Sequence, residues 1–338
     1  MKTLLRLLLK SQHQRNRSGP DQTEKGMTLV ELLVGAIMAF LIITPMLGFV
    51  VDMLNTDRRE QVKSNTEQDL QAAVDFIAQD LSQAIYIYDQ KGINAINNST
   101  LPTSGKLPAP ANGTPILVFW KRQQIKNSVP IYQNAAKPNT CDATKCNDTY
   151  VLALVAYYQF KDNDSTWCQP SGGTCPTRIA RYEIRDGVKD PSTLAYYPDT
   201  ETTDAQKKDP AFNSLFDLSK PTENVTVVGQ TAKNPEVLVN YIDHSTANVP
   251  VPSQCKTTLG VTDPPAPAPA LTQGDLLTAD GSTNSFYACV DTSKNIARVT
   301  IRGNSLRRLQ ADANYNANNS AYFPTATVQV QGLGARGK

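Results

Sequence analysis

The sequence predicts an α+β protein in which a long N-terminal helix, membrane-spanning in its first half, packs on an antiparallel β-rich C-terminal domain. An almost uncharged apolar run occupies residues 27–51, and a stripe of apolar residues at helical spacing follows it. Short apolar runs separated by loop-forming residues fill the rest of the chain. These patterns are typical of a membrane helix, an amphipathic helix and a β-rich domain. We therefore divide the chain into residues 1–26, 27–51, 52–86 and 87–338.

The composition excludes several classes of function. The chain has 338 residues with 33 Lys and Arg against 31 Asp and Glu, a net charge of +2. A protein built mainly to hold nucleic acid is normally strongly basic, so no nucleic-acid partner is predicted. With only two His, a His-based catalytic centre or metal site is not expected. No nucleotide-binding or hydrolase motif is present, so the sequence predicts neither an enzyme nor a cofactor.

The first two segments predict a membrane anchor. Residues 1–26 contain six basic and two acidic residues, and the apolar run 27–51 contains one charged residue, Glu31. The run is long enough to cross a bilayer, and the basic segment before it predicts a cytoplasmic N-terminus and an exported C-terminal domain. A cleaved secretory signal peptide is the alternative. Its apolar region would be shorter and its small-residue cleavage site would follow that region, whereas Gly26 precedes it.

Glu31 needs an explanation, because an acidic residue inside a membrane helix is costly and usually marks a function. Since Glu31 lies near the end of the run, a tolerated residue at the membrane interface is the simplest interpretation from position alone. Its neighbours favour a different one. Residues 25–34 read KGMTLVELLV. This segment closely resembles the N-terminal signature of type IV prepilins and pseudopilins.

The resemblance implies a processing site and a role for Glu31. In that family a membrane peptidase cuts after the Gly and methylates the new N-terminus, which implies cleavage between Gly26 and Met27 and N-methylation of Met27. Phe is usual where this chain has Met27, a departure that keeps a large apolar side chain. Glu31 lies where the family carries its Glu, which implies that it pairs with the basic N-terminus of a neighbouring subunit in the low-dielectric core of a filament.

The implied partners are the prepilin peptidase/methyltransferase, other pilins or pseudopilins, and the inner-membrane assembly platform. The implied location is the inner membrane, with a cytoplasmic N-terminus and an extracytoplasmic C-terminal domain, followed by a pilus or pseudopilus. Because major pilins are usually shorter, the chain looks more like a minor pilin or pseudopilin of the PilW-like or J-type class. The expected function is structural, in secretion (including that of polysaccharide), motility or adhesion. The alternative is an extracytoplasmic adhesin or glycan-binding protein that merely uses this type of anchor.

Residues 52–86 predict an amphipathic extension of the same helix. Steps of three and four residues give one apolar stripe, and most polar residues, Asp80 included, are placed away from it. The stripe consists of Leu70, Ala73, Val74, Ile77, Leu81, Ala84 and Ile85. We expect this stripe to dock on the C-terminal domain.

Residues 87–338 predict an antiparallel β domain. Within 296–302, Ala297, Val299 and Ile301 alternate with polar residues, as expected of a strand with one buried face. The predicted strands are 116–120, 150–160, 179–185, 225–228, 237–242, 285–290, 296–302 and 326–330. The proline-rich segment 263–270 is predicted to be an extended surface loop.

All six Cys follow the apolar run, which favours disulfides in an oxidising compartment. The simplest pairing is local: Cys141–Cys146, Cys168–Cys175 and Cys255–Cys289. Six Cys allow 15 connectivities, so the others stay open. A zinc site is the alternative, but the Cys spacing lacks matched C-x2-C pairs and no His lies close by.

Two further groups are weaker candidates. The oxygen-rich sequence Asp162-Asn163-Asp164 is compatible with calcium, but no EF-hand-like spacing or bidentate Glu follows, so we interpret it as a solvated turn. His244 is predicted to be an exposed turn residue. No metal site is predicted.

Overall fold

The computed structural model describes residues 26–97, 105–132 and 141–334. Residues 1–26, which the resemblance implies are a cleaved leader peptide, lie outside the described residues apart from Gly26. The chain forms two units, of which the first ends at Thr56 and the second begins at Asp57. The predicted α+β class is confirmed, because a long N-terminal helix is followed by two antiparallel sheets on which its second half packs.

Helix α1 comprises Leu29–Ser82 and is 54 residues long. Thr28 caps its start, since the Thr28 hydroxyl accepts a hydrogen bond from the Glu31 N–H at 3.3 Å. Pro45 lies inside the helix, where it removes one backbone hydrogen bond without ending the element. The helix therefore joins the predicted membrane segment to the predicted amphipathic segment without a break.

The helix ends at Ser82 and does not reach residue 86. Ala84–Ile87 instead forms strand β1, in which Ala84 pairs with Lys121 and Ile87 pairs with Phe119. The apolar spacing of Ala84 and Ile85 fits either structure, and the ladder hydrogen bonds to the neighbouring strand favour the extended one.

The described residues contain nine strands in two sheets, whose orders are β1-β2-β3-β4-β5 and β6-β7-β8-β9. The strands after β1 are β2 (Gly113–Pro130), β3 (Cys146–Phe160), β4 (Thr177–Arg185), β5 (Glu236–Ile242), β6 (Leu277–Ala279), β7 (Phe286–Asp291), β8 (Ile296–Arg302) and β9 (Thr325–Gln331). The short helices are α2 (Gln90–Ile96), α3 (Cys255–Leu259) and α4 (Gln273–Leu276), with 3-10 turns at Asp199–Glu201, Leu306–Arg308 and Ala317–Tyr322.

The main core lies where the second half of α1 meets both sheets. The predicted stripe is buried there from Leu70 to Leu81. It packs against one face of the first sheet, including Phe119 and Val155, and against apolar side chains of the second sheet, including Val299. A second core covers the other face of the first sheet, where Trp120 stacks on Phe216 with ring centroids 4.0 Å apart. Burial on both faces explains the near-continuous apolar runs in β2 and β3.

Seven of the eight predicted strands coincide with or lie mainly within observed strands. The prediction for 225–228 is wrong, because this segment makes only an isolated bridge from Thr226 to Phe212. Val225 is fully buried in the second core, so its apolar character reflects burial and not strand pairing. The proline-rich segment 263–270 forms no strand and is mostly exposed, as predicted.

Candidate functional site

The residues of the predicted processing site lie together at the start of α1. Gly26 and Met27 precede the helix, and Met27 is 72 % exposed. A side chain placed on Gly26 would meet no other atom within 4 Å. Both residues that flank the predicted cleavage site are therefore exposed.

Glu31 lies in the first turn of α1, where the helix dipole favours a negative charge. The sequence Thr28-Leu29-Val30-Glu31 matches a capping box, in which the acidic side chain would also bond back to the capping residue. Only the bond from the Glu31 N–H to Thr28 is formed. Among the described residues, the Glu31 carboxylate has no salt bridge and no hydrogen bond. It is an exposed acid whose charge has no partner within that part of the chain.

The first part of α1 has no polar face. Every Leu, Ile, Val, Met and Phe between residues 29 and 54 is at least 49 % exposed. Among the described residues, α1 is the one helix long and apolar enough to cross a membrane by length and composition, with a mean hydropathy of 2.4 in its most apolar window. Exposed apolar surface of this extent indicates contact with a membrane or with other apolar helices.

A buried ionic cluster joins the end of α1 to the first sheet. The Asp80 carboxylate accepts hydrogen bonds from Lys121 at 2.8 Å, the Tyr157 hydroxyl at 2.7 Å and Arg181 at 2.7 Å. Glu183 forms salt bridges with the same two cations. These three basic or phenolic groups come from β2, β3 and β4, which places Asp80 across the middle of the sheet.

The cluster keeps its carboxylates ionised. Burial acts to raise the pKa of Asp80, but the positive charges of Arg181 and Lys121 outweigh burial and hold this pKa below its ordinary value. The pKa of Glu183 is lowered against burial by the same two cations. Arg181 has a raised pKa, because Asp80 and Glu183 outweigh its desolvation. The second half of α1 is therefore held by charge as well as by its apolar stripe.

Sequence reasoning missed this cluster. The sequence places Asp80 away from the apolar stripe, whereas the structure buries it. A usable signal was present, since Asp80 follows Ile77 by three residues and Ala73 by seven, and so shares their face of the helix. A carboxylate on a buried face requires cationic or hydrogen-bonding partners, and Lys121 and Arg181 are basic residues inside strands.

Three disulfides join Cys141 to Cys146, Cys168 to Cys175 and Cys255 to Cys289. These are the pairs that local spacing favoured among the 15 possibilities. The loop 168–175 is also held by the fully buried Arg307, which donates hydrogen bonds to the carbonyl oxygens of Pro170 at 2.9 Å and Thr174 at 3.0 Å. All three bonds lie in the second unit.

The acidic side chains of the segment Asp162-Asn163-Asp164 are engaged in contacts within the protein. Asp162 pairs with Arg178 through both carboxylate oxygens, and the Asp164 side chain accepts a bond from the Thr166 N–H at 2.8 Å. Among the described residues, no group of three or more His, Cys, Asp or Glu could hold a metal.

The prediction of an exposed His244 is wrong. The residue is buried beside Asp243, which forms a buried salt bridge with Arg302 at 2.9 Å. Burial lowers the pKa of His244, which favours a neutral imidazole. Directly after β5 the chain contacts the second sheet, where the Asp243 N–H donates a hydrogen bond to the Arg302 carbonyl at 3.0 Å. His244 follows this contact and is therefore placed in the interior.

No family model, no curated protein and no solved structure matches this chain. The structure brings Gly26, Met27 and Glu31 together at one helix end and distributes the six Cys over the second unit.

Proposed function

We propose that the chain is a structural subunit of a type IV pilus or of a related secretion filament, anchored and then assembled through α1. The observation that carries the proposal is the first part of α1, which is apolar and exposed on all sides. It begins at Leu29, two residues after Met27, and its first turn contains Glu31, whose carboxylate has no partner among the described residues. In this account, a prepilin peptidase cuts between Gly26 and Met27 and methylates Met27. The leader directs the second unit out of the cytoplasm.

In this proposal, the exposed apolar surface of residues 29–54 is covered in two successive environments. Lipid covers residues 29–54 before assembly, and the same helices from neighbouring subunits cover them within a filament. Apolar contacts of this kind carry little direction, so they require a polar device that sets the register between subunits. Glu31 supplies that device by pairing with the methylated N-terminus of a neighbouring chain, where low dielectric strengthens the attraction.

The second unit supports this proposal by its chemistry. Its three disulfides suit an oxidising compartment outside the cytoplasm. The Asp80 cluster fixes the end of α1 to the first sheet, so a pull on the helix is transmitted to the folded unit. The partners are then the prepilin peptidase, other pilins or pseudopilins and the assembly platform, in service of secretion, motility or adhesion.

The experiment that tests this proposal is the composition of purified filaments. A tagged full-length chain is expressed in its own host, filaments are sheared from the cells, and the fractions are blotted for the tag. We expect the tag in the filament fraction as well as in the membrane. Its confinement to the membrane in cells that make filaments contradicts assembly and favours an anchored adhesin or glycan-binding protein.

A further inference from the structure

A charged cavity opens in the second unit where β4 extends beyond its neighbour β5. Arg181 pairs in register with Glu236, the first residue of β5, so the last residues of β4 have no strand on that side. Every second side chain of a strand lies on the same face, and on β4 this face carries Arg181, Glu183 and Arg185. The space beside them is about 300 Å³, and its other lining residues are Lys207, Asp209, Lys233, Asn234 and Glu236.

The inner wall of this cavity is electrically balanced. Arg181 donates to Asp80 at 2.7 Å and to Glu183 at 2.5 Å, and Lys121 lies 3.6 Å from Glu183. Of these groups, Arg181 and Glu183 line the cavity, and together they carry no net charge. These side chains have fixed positions, because each of them forms ion pairs with the others.

The outer wall has three cations, of which two form no salt bridge with any described residue and the third has only an exposed partner. Among the described residues, Arg185 and Lys233 form no salt bridge. Arg185 donates one hydrogen bond, from Nη2 to the Asp204 carbonyl at 3.1 Å, and its Nη1 has no hydrogen-bond partner among the described residues. Lys207 pairs only with the side chain of Asp204, which is 94 % exposed, and such a pair contributes little. A guanidinium that lines a cavity and keeps a terminal N–H without a protein partner is suited to an incoming anion.

The remaining polar groups limit the charge and suggest the class of ligand. Asp209 is buried and accepts from the Ala211 N–H at 2.9 Å, while Glu236 lies exposed at the rim. The residues that line the cavity include four cations and three carboxylates, which leaves a single positive charge on the lining and suits one negative charge better than two. Asn234 and the two acids can also accept hydrogen bonds from hydroxyl groups.

We propose that this cavity binds a hydroxylated monocarboxylate, such as a sugar acid, with its carboxylate on Arg185 and Lys233. The volume lies at the lower end of the range for ligand sites, which fits one monosaccharide or one unit of a polymer. The lining is mostly polar, as a hydroxylated ligand requires. This assignment does not depend on how α1 is processed or assembled.

The experiment is titration calorimetry on the full chain in a polyoxyethylene detergent, with sodium glucuronate as the probe. Glucose and inorganic phosphate are the matched ligands, because the first has the hydroxyls without the charge and the second has charge without the sugar ring. We expect saturable binding of glucuronate that exceeds binding of either by about tenfold or more, as loss of a charged hydrogen bond implies. Absent glucuronate binding, or equal affinity for glucose or phosphate, overturns the proposal.

Two single variants locate the site. Arg185→Gln and Lys233→Gln should each weaken glucuronate binding by about tenfold, while Lys220→Gln, an exposed residue outside the cavity, should leave it unchanged. Lys233 lies in a loop segment, so its variant keeps the test valid if Arg185→Gln alters the fold. Wild-type affinity in both cavity variants would place the ligand elsewhere and refute the assignment.

Discussion

Replacement of Asp80 by Asn is expected to lower the free energy of unfolding of the second unit by about 3 kcal/mol, near the lower end of the range for breaking a buried ion pair. The change leaves Lys121 and Arg181 buried with only Glu183 to offset them. It also turns an acceptor of three hydrogen bonds into an amide, whose NH2 group faces donors. Glu183 keeps the loss from reaching the upper end of that range.

The measurement is urea unfolding of the full chain in detergent, followed by tryptophan fluorescence. Asp75→Asn is the matched control, since Asp75 is an exposed acid on the same helix that bonds only to Gln71 among the described residues. It should change stability by less than about 0.5 kcal/mol. Equal stability of the two variants would show that the Asp80 cluster does not hold α1 on the sheet.

The effect of Asp80 should also depend on pH in a definite direction. Its pKa in the folded protein is below the ordinary value, so the unfolded chain binds the proton more readily. The stabilisation is therefore complete above the unfolded pKa, about 3.9, and is lost as the pH falls through the lower folded pKa. The difference between wild type and Asp80→Asn should persist at neutral pH and shrink only in strongly acidic solution.

Replacement of Glu31 by Ala is expected to leave processing intact and to abolish entry into filaments. A pair of opposite charges 4 Å apart contributes about 4 kcal/mol at an effective dielectric constant of 20, which corresponds to roughly a thousandfold in an equilibrium. Because Glu31 makes no bond through its carboxylate to any described residue, its removal should not disturb the chain itself. The mature variant should accumulate in the membrane.

Glu60→Ala is the matched control for this prediction. Glu60 is an exposed acid on the same helix, but it lies in the second unit and beyond the apolar segment. Filament fractions from cells expressing each variant are compared by immunoblot with the total mature chain. Incorporation of Glu31→Ala at the level of Glu60→Ala would defeat the proposed role of Glu31.

The elements with strong periodicity could be predicted from sequence, and the long-range polar contacts could not. The apolar run and the stripe from Leu70 to Leu81 predict α1, and alternation in 296–302 predicts the bounds of β8. The same alternation predicts a solvent-facing side for β8, which is wrong for Thr300 and Arg302, because both are buried. The strand prediction for 225–228 fails because a buried loop residue such as Val225 and a strand residue have the same apolar character. Ala84 misleads because its helical spacing continues past Ser82.

The candidate sites divide in the same way. Gly26, Met27 and Glu31 are adjacent in sequence, so a local pattern finds them. Lys121 and Arg181 follow Asp80 by 41 and 101 residues. Only the pairing order of β2, β3 and β4 brings the three residues together. His244 is buried by a crossing between the two sheets that no local pattern encodes.

The most direct test of the account is the chemical identity of the mature N-terminus. The full chain is expressed with a prepilin peptidase, isolated from membranes and analysed by mass spectrometry of its N-terminal peptide. We predict a chain that begins with N-methylated Met27 and lacks residues 1–26. An intact leader, or a mature chain that begins elsewhere, would contradict the proposal that this protein is a processed filament subunit.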